Sequence, residues 1–521
     1  MVIETLIFKE IGLLPELFLG ISLIYLTLHG TFLSVSKNYP LLQISNLYLS
    51  VLVLSMVCFL LINDGLEVLD SSIFNNTVVT DYLGYSSKLL LGISCIFCLL
   101  IIQQYVVDQK QNNFEYILLF LFAILGIFLL CSSNDLITAY LAIELQSLAF
   151  YVLAAFKKNS TFSADAGLKY FILGAFSSSL FLFGSSIIYG VTGTTNFEDF
   201  KDLFFGLFPG GHSSFVFDLN KESVPVYFEI PFDASLLNFA LVFILASLFF
   251  KLALAPFHLW SPDVYEGSLS SSTFFFAVIP KLGIFVLLLR IFYYSFYSFI
   301  DNWRYYVVII SILSVIVGSF VGLEQRKLKS LLAYSSISHM GYSLISFTTG
   351  TFEGIQMLLC YLMIYVCSGL CIWSIFLLTR LKISYVQKQN KDLTDFVLLS
   401  KSNKTLAIFL ATVLLSVAGF PPMIGFLVKI GVFLASIESS MYFIALISIL
   451  CSVISTFYYI RIVKILFFEK VLVGKLYYPI KAQRAVIVTL LFYLLLFLFI
   501  NPTLLYLISQ KISLVSVINI Y

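Results

Sequence analysis

The chain has 521 residues, of which 60% are hydrophobic and 11% charged, with a formal net charge of +2. So few charges on so long a chain describe a polytopic membrane protein whose solvent is the bilayer, and exclude a soluble enzyme. The near-zero charge leaves no basic face for nucleic acid.

The first residues, MVIETLIFKEIG, carry acids and lack the Arg- and Ser-rich amphipathic pattern of a transit peptide. Synthesis inside the compartment that uses the protein, from an organellar gene, is the expectation. Apolar runs of about 20 residues, the length that crosses the hydrocarbon core, predict spans at 12–34, 41–62, 86–107, 115–132, 134–157, 167–190, 236–259, 269–292, 305–324, 329–350, 353–380, 404–435, 438–466 and 485–508, fourteen in all. At 132–135 the link SSND fits either two helices or one long kinked helix.

Basic residues follow the odd-numbered spans: Lys37, Lys110, Lys157 and Lys158, then Arg326, Lys327 and Lys329, then the 380–404 and 461–484 segments. The segments after even-numbered spans are acidic, most clearly NDGLEVLD at 63–70 and the 191–235 loop. By the positive-inside rule the basic segments lie inside and both termini outside.

A few ionisable residues remain. Lys169 opens the sixth span at the inner interface and can snorkel, whereas Lys251, Lys281 and Lys429 fall well inside spans, with Glu144 as their acidic counterpart. An ionisable group at mid-membrane costs about 2.5–3.5 kcal/mol on insertion scales and marks a functional site by default. The bland alternative is a structural ion pair that orients helices.

Two spans contain helix breakers. Pro256 in ALAPFHLW cannot donate to the carbonyl of Leu252, and Pro421 with Pro422 in AGFPPMIGF frees the carbonyls of Val417 and Ala418. Such breaks are tolerated where they line a cavity. The broken spans are the seventh and the twelfth, five apart, as two inverted five-helix repeats would place them. The expected fold is therefore all-α and polytopic: three helices over 1–114, one repeat over 115–292, its inverted copy over 293–466, and a C-terminal helix in 467–521.

The eight cysteines sit in or beside apolar runs with no histidines to complete a metal set. No Gly-rich phosphate loop, iron–sulfur cysteine set or haem histidine pair is present, so redox chemistry belongs to other chains.

The stretches YLAIELQSLAFYVLAA (140–155), GLKYFILGAFSS (167–178), FKLALAPFHLWSPDVYEGS (250–268), KLKSLLAYSSISHMGY (327–342) and AGFPPMIGFLVK (418–429) resemble the antiporter-like membrane subunits of respiratory NADH:quinone oxidoreductase, complex I. The lysine at 429 is similar to the subunit 2 (bacterial subunit N) branch. The resemblance implies a proton route in which Glu144 and Lys251 form the input pair, Lys281 is the central relay and Lys429 the terminal exchanger. His258 and His339 match positions beside that route, where they either order water or sit as hydrogen-bonded core histidines; His29 is expected to be structural, and His212 is assigned nothing. The implied cofactors, NADH, FMN, iron–sulfur clusters and ubiquinone, sit on other subunits, with none on this chain and no metal. Implied partners are other membrane-arm subunits, lipids and protons, in the mitochondrial inner membrane with termini in the intermembrane space. A subunit of a cation/proton antiporter and a purely structural membrane-arm subunit are the alternatives. One departure is Ser330, where many members of that family carry arginine.

Overall fold

A computed structural model of the chain describes residues 11–34, 42–64, 71–108, 113–205, 234–383, 386–389, 392–397, 399–469, 476–477, 480 and 482–518. His212 and most of the 191–235 loop lie outside the described residues. Helices dominate: α1 (Leu14–Ser34), α2 (Leu42–Asp64), α3 (Tyr82–Asp108), α4 (Glu115–Ser132), α5 (Leu136–Ala154), α6 (Thr161–Thr192) and the short α7 (Phe197–Phe205) form the first part. Then come α8 (Ala234–Leu252), α9 (Trp260–Gly267), α10 (Ser270–Val278), α11 (Pro280–Leu288), α12 (Ile300–Glu324), α13 (Leu328–Thr348) and α14 (Phe352–Leu378). The last are α15 (Lys404–Ala418), α16 (Ile424–Glu438), α17 (Tyr442–Phe467), α18 (Ala482–Ile500) and α19 (Thr503–Ile518).

Among the described residues, eleven helical spans are long and apolar enough to cross a membrane, and twelve if α18 and α19 count as one. Two predicted spans miss that measure for separate reasons. The 329–350 span is α13, whose Ser330, Ser335, Ser336, Ser338, Ser343 and Ser346 lower its hydropathy, yet only Lys329 and Tyr334 of the helix escape burial. A helix sheathed in protein needs no lipid-compatible surface, and Ser335, Ser336 and Ser338 donate to carbonyls one turn back at 2.7–2.9 Å. The 404–435 span is divided into α15 and α16 by its prolines.

The single C-terminal helix expected at 485–508 is two helices, bent by 81° at Asn501–Pro502. Pro502 cannot continue the hydrogen-bond ladder, and α19 turns back against α14 and α3. At 132–135 the chain makes two helices. Ser133 is extended, and Asp135 caps α5 by accepting from the Ile137 N–H at 2.7 Å. The hairpin of β1 (Ser71–Ile73) and β2 (Val78–Thr80) covers this turn, its Asn76 carbonyl accepting from Asn134 and Asn196 at 3.1 and 2.8 Å.

Two ion pairs escape a reading of the sequence. Lys88 of α3 pairs with Glu16 of α1, both side chains 4% exposed, and Arg290, after α11, pairs with Asp81 at 2.5 Å. The first ties α1 to α3, and the second ties the start of α3 to the bundle's centre, where residues 270–293 are wholly buried.

Glycines also bring α12 and α13 close together. A Cβ on Gly318 would lie 2.6 Å from the Ser338 nitrogen, and one on Gly341 would lie 2.4 Å from the Ser314 hydroxyl, the close backbone approach that small residues permit in membranes. Gly318→Val is therefore expected to reduce the assembled, membrane-inserted protein by more than about half, read as band intensity on a native gel, whereas a substitution at the lipid-exposed Phe320 leaves it unchanged.

Candidate functional site

At the first break, α8 ends just after Lys251 and Ala253 adopts φ +60°. The loosened carbonyls find new donors: Phe249 O accepts from the Leu254 N–H and Phe250 O from the Trp260 indole, each at 3.0 Å. Lys251 Nζ donates to the Tyr151 hydroxyl of α5 at 3.3 Å. Glu144 stands seven residues before Tyr151, two turns along the same face of α5. One carboxylate oxygen of Glu144 accepts from Ser147 at 3.4 Å, while Oε1 is buried with no hydrogen-bond partner. Lys251 and Glu144 make no ion pair within 4.0 Å.

Lys281 lies at a third break, one the sequence analysis passed over. Pro280 separates α10 from α11, and the buried Lys281 donates from Nζ to the Tyr365 hydroxyl of α14 at 3.0 Å. That hydroxyl in turn donates to Ala277 O at 2.8 Å. Between Lys251 and Lys281 is a cavity of about 20 Å³ edged by Gln146, Ser147 and Tyr170; a space above roughly 10–15 Å³ with polar partners holds one water.

At the second break, α15 stops at Ala418 and Gly419 takes φ +89°. Lys429, about one and a half turns into α16, folds back so that its Nζ donates to Ala418 O at 2.8 Å. This is the carbonyl that Pro422 cannot satisfy. Only glycine suits position 419, since φ is positive and a Cβ would lie 2.9 Å from Lys429 Cδ. Lys429 Nζ also sits 5.5 Å from the centroid of the Tyr342 ring. His339 is buried and hydrogen-bonded at both ring nitrogens, Nδ1 to Tyr361 Oη at 2.6 Å and Nε2 to Tyr459 Oη at 3.1 Å. A second cavity, about 30 Å³, is lined by His339, Tyr361, Tyr365, Ser416 and Lys429.

Tyr365 thus joins the two halves, bonding Lys281 on one side and lining the cavity of Lys429 on the other. Lys251, Lys281 and Lys429 fall on this axis with His339, and Glu144 stands beside its start. His258 does not join it: partly exposed, it lies edge-on to Tyr334 at 6.3 Å and lines neither cavity. His29 hydrogen-bonds Asn46 at 3.2 Å and lines neither cavity. Ser330 donates to Lys327 O at 3.0 Å. Sequence reasoning missed Tyr151, Tyr342, Tyr361, Tyr365 and Tyr459. Their helical spacing, Tyr151 at i+7 from Glu144, Tyr342 at i+3 from His339, Tyr361 and Tyr365 at i, i+4, was a usable signal, diluted by the chain's 31 tyrosines.

The lysines divide by partner. Lys88, Lys169 and Lys327 pair with the carboxylates of Glu16, Asp263 and Glu266. Lys251, Lys281 and Lys429 bond neutral oxygens instead. A carboxylate holds the proton on its lysine, whereas a neutral acceptor leaves either protonation state without a bare counter-charge.

Residues 133–455 match the family model described as NADH:quinone oxidoreductase/Mrp antiporter, TM. The chain belongs to this family. It is 39% identical over 511 residues to NADH-ubiquinone oxidoreductase chain 2 of Marchantia polymorpha, covering 97% of this chain and 98% of that one. It is also 37% identical to NADH-quinone oxidoreductase subunit N of Pelagibacter ubique, with 88% and 89% covered. A chain of respiratory complex I from Thermus thermophilus superimposes with a TM-score of 0.75 at 26% identity, covering 94% of this chain and 98% of that one.

Tyr365→Phe keeps the ring under Lys281 and deletes the hydroxyl. A hydrogen bond to a charged group contributes roughly 1.5 kcal/mol, so proton transfer through this point is expected to slow about tenfold. The check is quinone-reductase-driven acidification in proteoliposomes, with an unchanged amount of assembled complex.

Proposed function

We propose that protons cross the membrane interior of this chain along Glu144, Lys251, Lys281, Tyr365, His339 and Lys429, with water in the two cavities completing the links. The observation that carries the reading is the Lys281–Tyr365 hydrogen bond at 3.0 Å, which connects the two cavities through a wholly buried segment.

The chain is a proton-translocating membrane-arm subunit of a NADH:quinone oxidoreductase, and electron transfer takes place elsewhere in that complex. Its partners are other subunits of complex I, and NADH, FMN, iron–sulfur clusters and ubiquinone are held by them. A rise in the separation of Glu144 from Lys251 would change the proton affinity of Lys251, then of Lys281, then of Lys429, moving the charge along the axis. The mitochondrial inner membrane is its place, on the strength of the Marchantia relative. The basic 380–404 segment faces inside and the acidic 191–235 loop outside, which supports termini in the intermembrane space. The paired breaks at Pro256 and at Pro421–Pro422, five spans apart, support the inverted-repeat organisation. His258 is left out of the route, and His339 acts as a hydrogen-bonded group between the lysines.

A purely structural role for the lysines predicts a different outcome on substitution. Lys429→Gln retains an N–H donor for Ala418 O and removes the exchangeable charge. The proposal expects an assembled complex whose coupled proton pumping falls at least about tenfold; wild-type pumping would remove Lys429 from the route. Orientation is checked separately by protease access to sealed vesicles, where cleavage in 380–404 and in 191–235 is expected from opposite faces.

A further inference from the structure

The helix that carries Lys281 does not end where α11 does. Leu289 keeps helical angles (φ −62°, ψ −43°), and the chain continues directly into a π-helical turn, Leu289–Ser295, in which the Phe296 N–H reaches back five residues to Ile291 O at 3.0 Å. Pro280 to Ser295 is thus one rod, buried throughout except at Tyr294, with Lys281 at its broken end and Arg290 about 13.5 Å further along the axis. The rod is not close-packed on α3, since its Leu282, Val286 and Leu289 border a cavity of about 20 Å³ with Leu83 and Leu90. What fixes the two elements to each other is polar. Arg290 Nη2 donates to Asp81 Oδ1 at 2.5 Å, and that oxygen also accepts from the Gly84 N–H at 2.9 Å, capping α3. Gly84 makes room for the pair: a Cβ there would lie 3.0 Å from Arg290 Nη2 and 2.7 Å from Asp81 Oδ1.

We propose that Asp81 is a positioning residue for the relay: by fixing Arg290 it keeps the rod in the π register that presents Lys281 to the Tyr365 hydroxyl. A π turn is rare and carries one residue more than the α ladder allows. This one is held from two sides, by Asp81 on Arg290 and by Tyr293, whose hydroxyl donates to Phe347 O at 2.5 Å and accepts from the Gly350 N–H at 3.2 Å. Relaxation of the turn to α geometry would rotate the rod's other end by roughly 100° and shift it by about 1.5 Å, the increments of one residue. That takes Lys281 off Tyr365. The Lys88–Glu16 pair, two turns along α3 from Asp81, ties the support to α1 in turn. The inference rests on the relay reading of Lys281, and it gives α1 and α3, which contribute no residue to the route, a part in proton transfer.

The test is coupled proton pumping by the intact complex in sealed proteoliposomes, expressed per assembled complex. Asp81→Asn keeps an oxygen to cap α3 and removes the charge that holds Arg290. Asp81→Asn/Arg290→Gln removes both charges, so that no bare ion is left buried to prevent assembly. Gly84→Ala keeps both charges and forces them apart. Each is expected to lower pumping per complex at least about twofold, the effect of a residue that acts on a site through others. Arg290→Lys retains a cation that can donate to Asp81 and is expected to pump at close to the unaltered rate; a loss as large as that of the double variant would overturn the proposal. Lys281→Arg is the reference. Lowered pumping there, with unaltered pumping per complex in the Asp81 and Gly84 variants, overturns this inference alone, whereas unaltered pumping in Lys281→Arg overturns the relay reading and the inference with it. A fall in the amount of assembled complex with the rate per complex unchanged would mark the pair as a fastener only, and would overturn the proposal as well.

Discussion

Everything in the interior of this protein answers to the cost of keeping ammonium groups where water is scarce. Each such group costs about 2.5–3.5 kcal/mol on insertion scales, and one hydrogen bond to a charged group contributes about 1.5–3 kcal/mol. A single well-placed neutral oxygen therefore nearly offsets the cost and leaves little surplus to pin the proton. Lys251, Lys281 and Lys429 each have such an oxygen, from Tyr151, Tyr365 and Ala418. A carboxylate in the same place would stabilise the charge further and make the site a fastener, as Glu16 does for Lys88.

The broken helices follow from the same constraint. A continuous helix spends its carbonyls on its own ladder and offers none to a lysine. Pro422 releases Ala418 O, and Lys429 returns eleven residues along the chain to use it. Pro280 loosens the junction where Ala277 O accepts from Tyr365, which frees that hydroxyl's oxygen for Lys281. At Pro256 the freed backbone is taken up by the Trp260 indole, and Lys251 turns to Tyr151 instead. Breaks and lysines occur together because each supplies what the other lacks.

Much of this was legible in the sequence because membrane insertion writes itself as long apolar runs and rare charges. The span positions and the breaks at Pro256 and Pro421 came from those signals, as did the four central ionisable residues. What was not legible required knowing which helices are sheathed by others. Among 31 tyrosines the i, i+4 spacing of Tyr361 and Tyr365 did not stand out against lipid-facing ones such as Tyr493, and Lys88 was hidden because its partner Glu16 lies more than seventy residues earlier. Pro280 read as an ordinary helix residue near a span's middle, and the bend at Pro502 was absorbed into an unbroken apolar run. His258 sits in a recognisable motif, yet it packs edge-on to Tyr334 and lines neither cavity, an outcome that spacing cannot foretell.

The most direct measurement is the ratio of protons pumped to electrons transferred by the intact complex carrying Lys281→Arg in sealed proteoliposomes. Arginine keeps the charge and can still bond Tyr365, but it does not release its proton in a protein. The account predicts an assembled complex with a lowered ratio. An unchanged ratio would contradict it, and would mean that Lys281 holds helices together without handling protons.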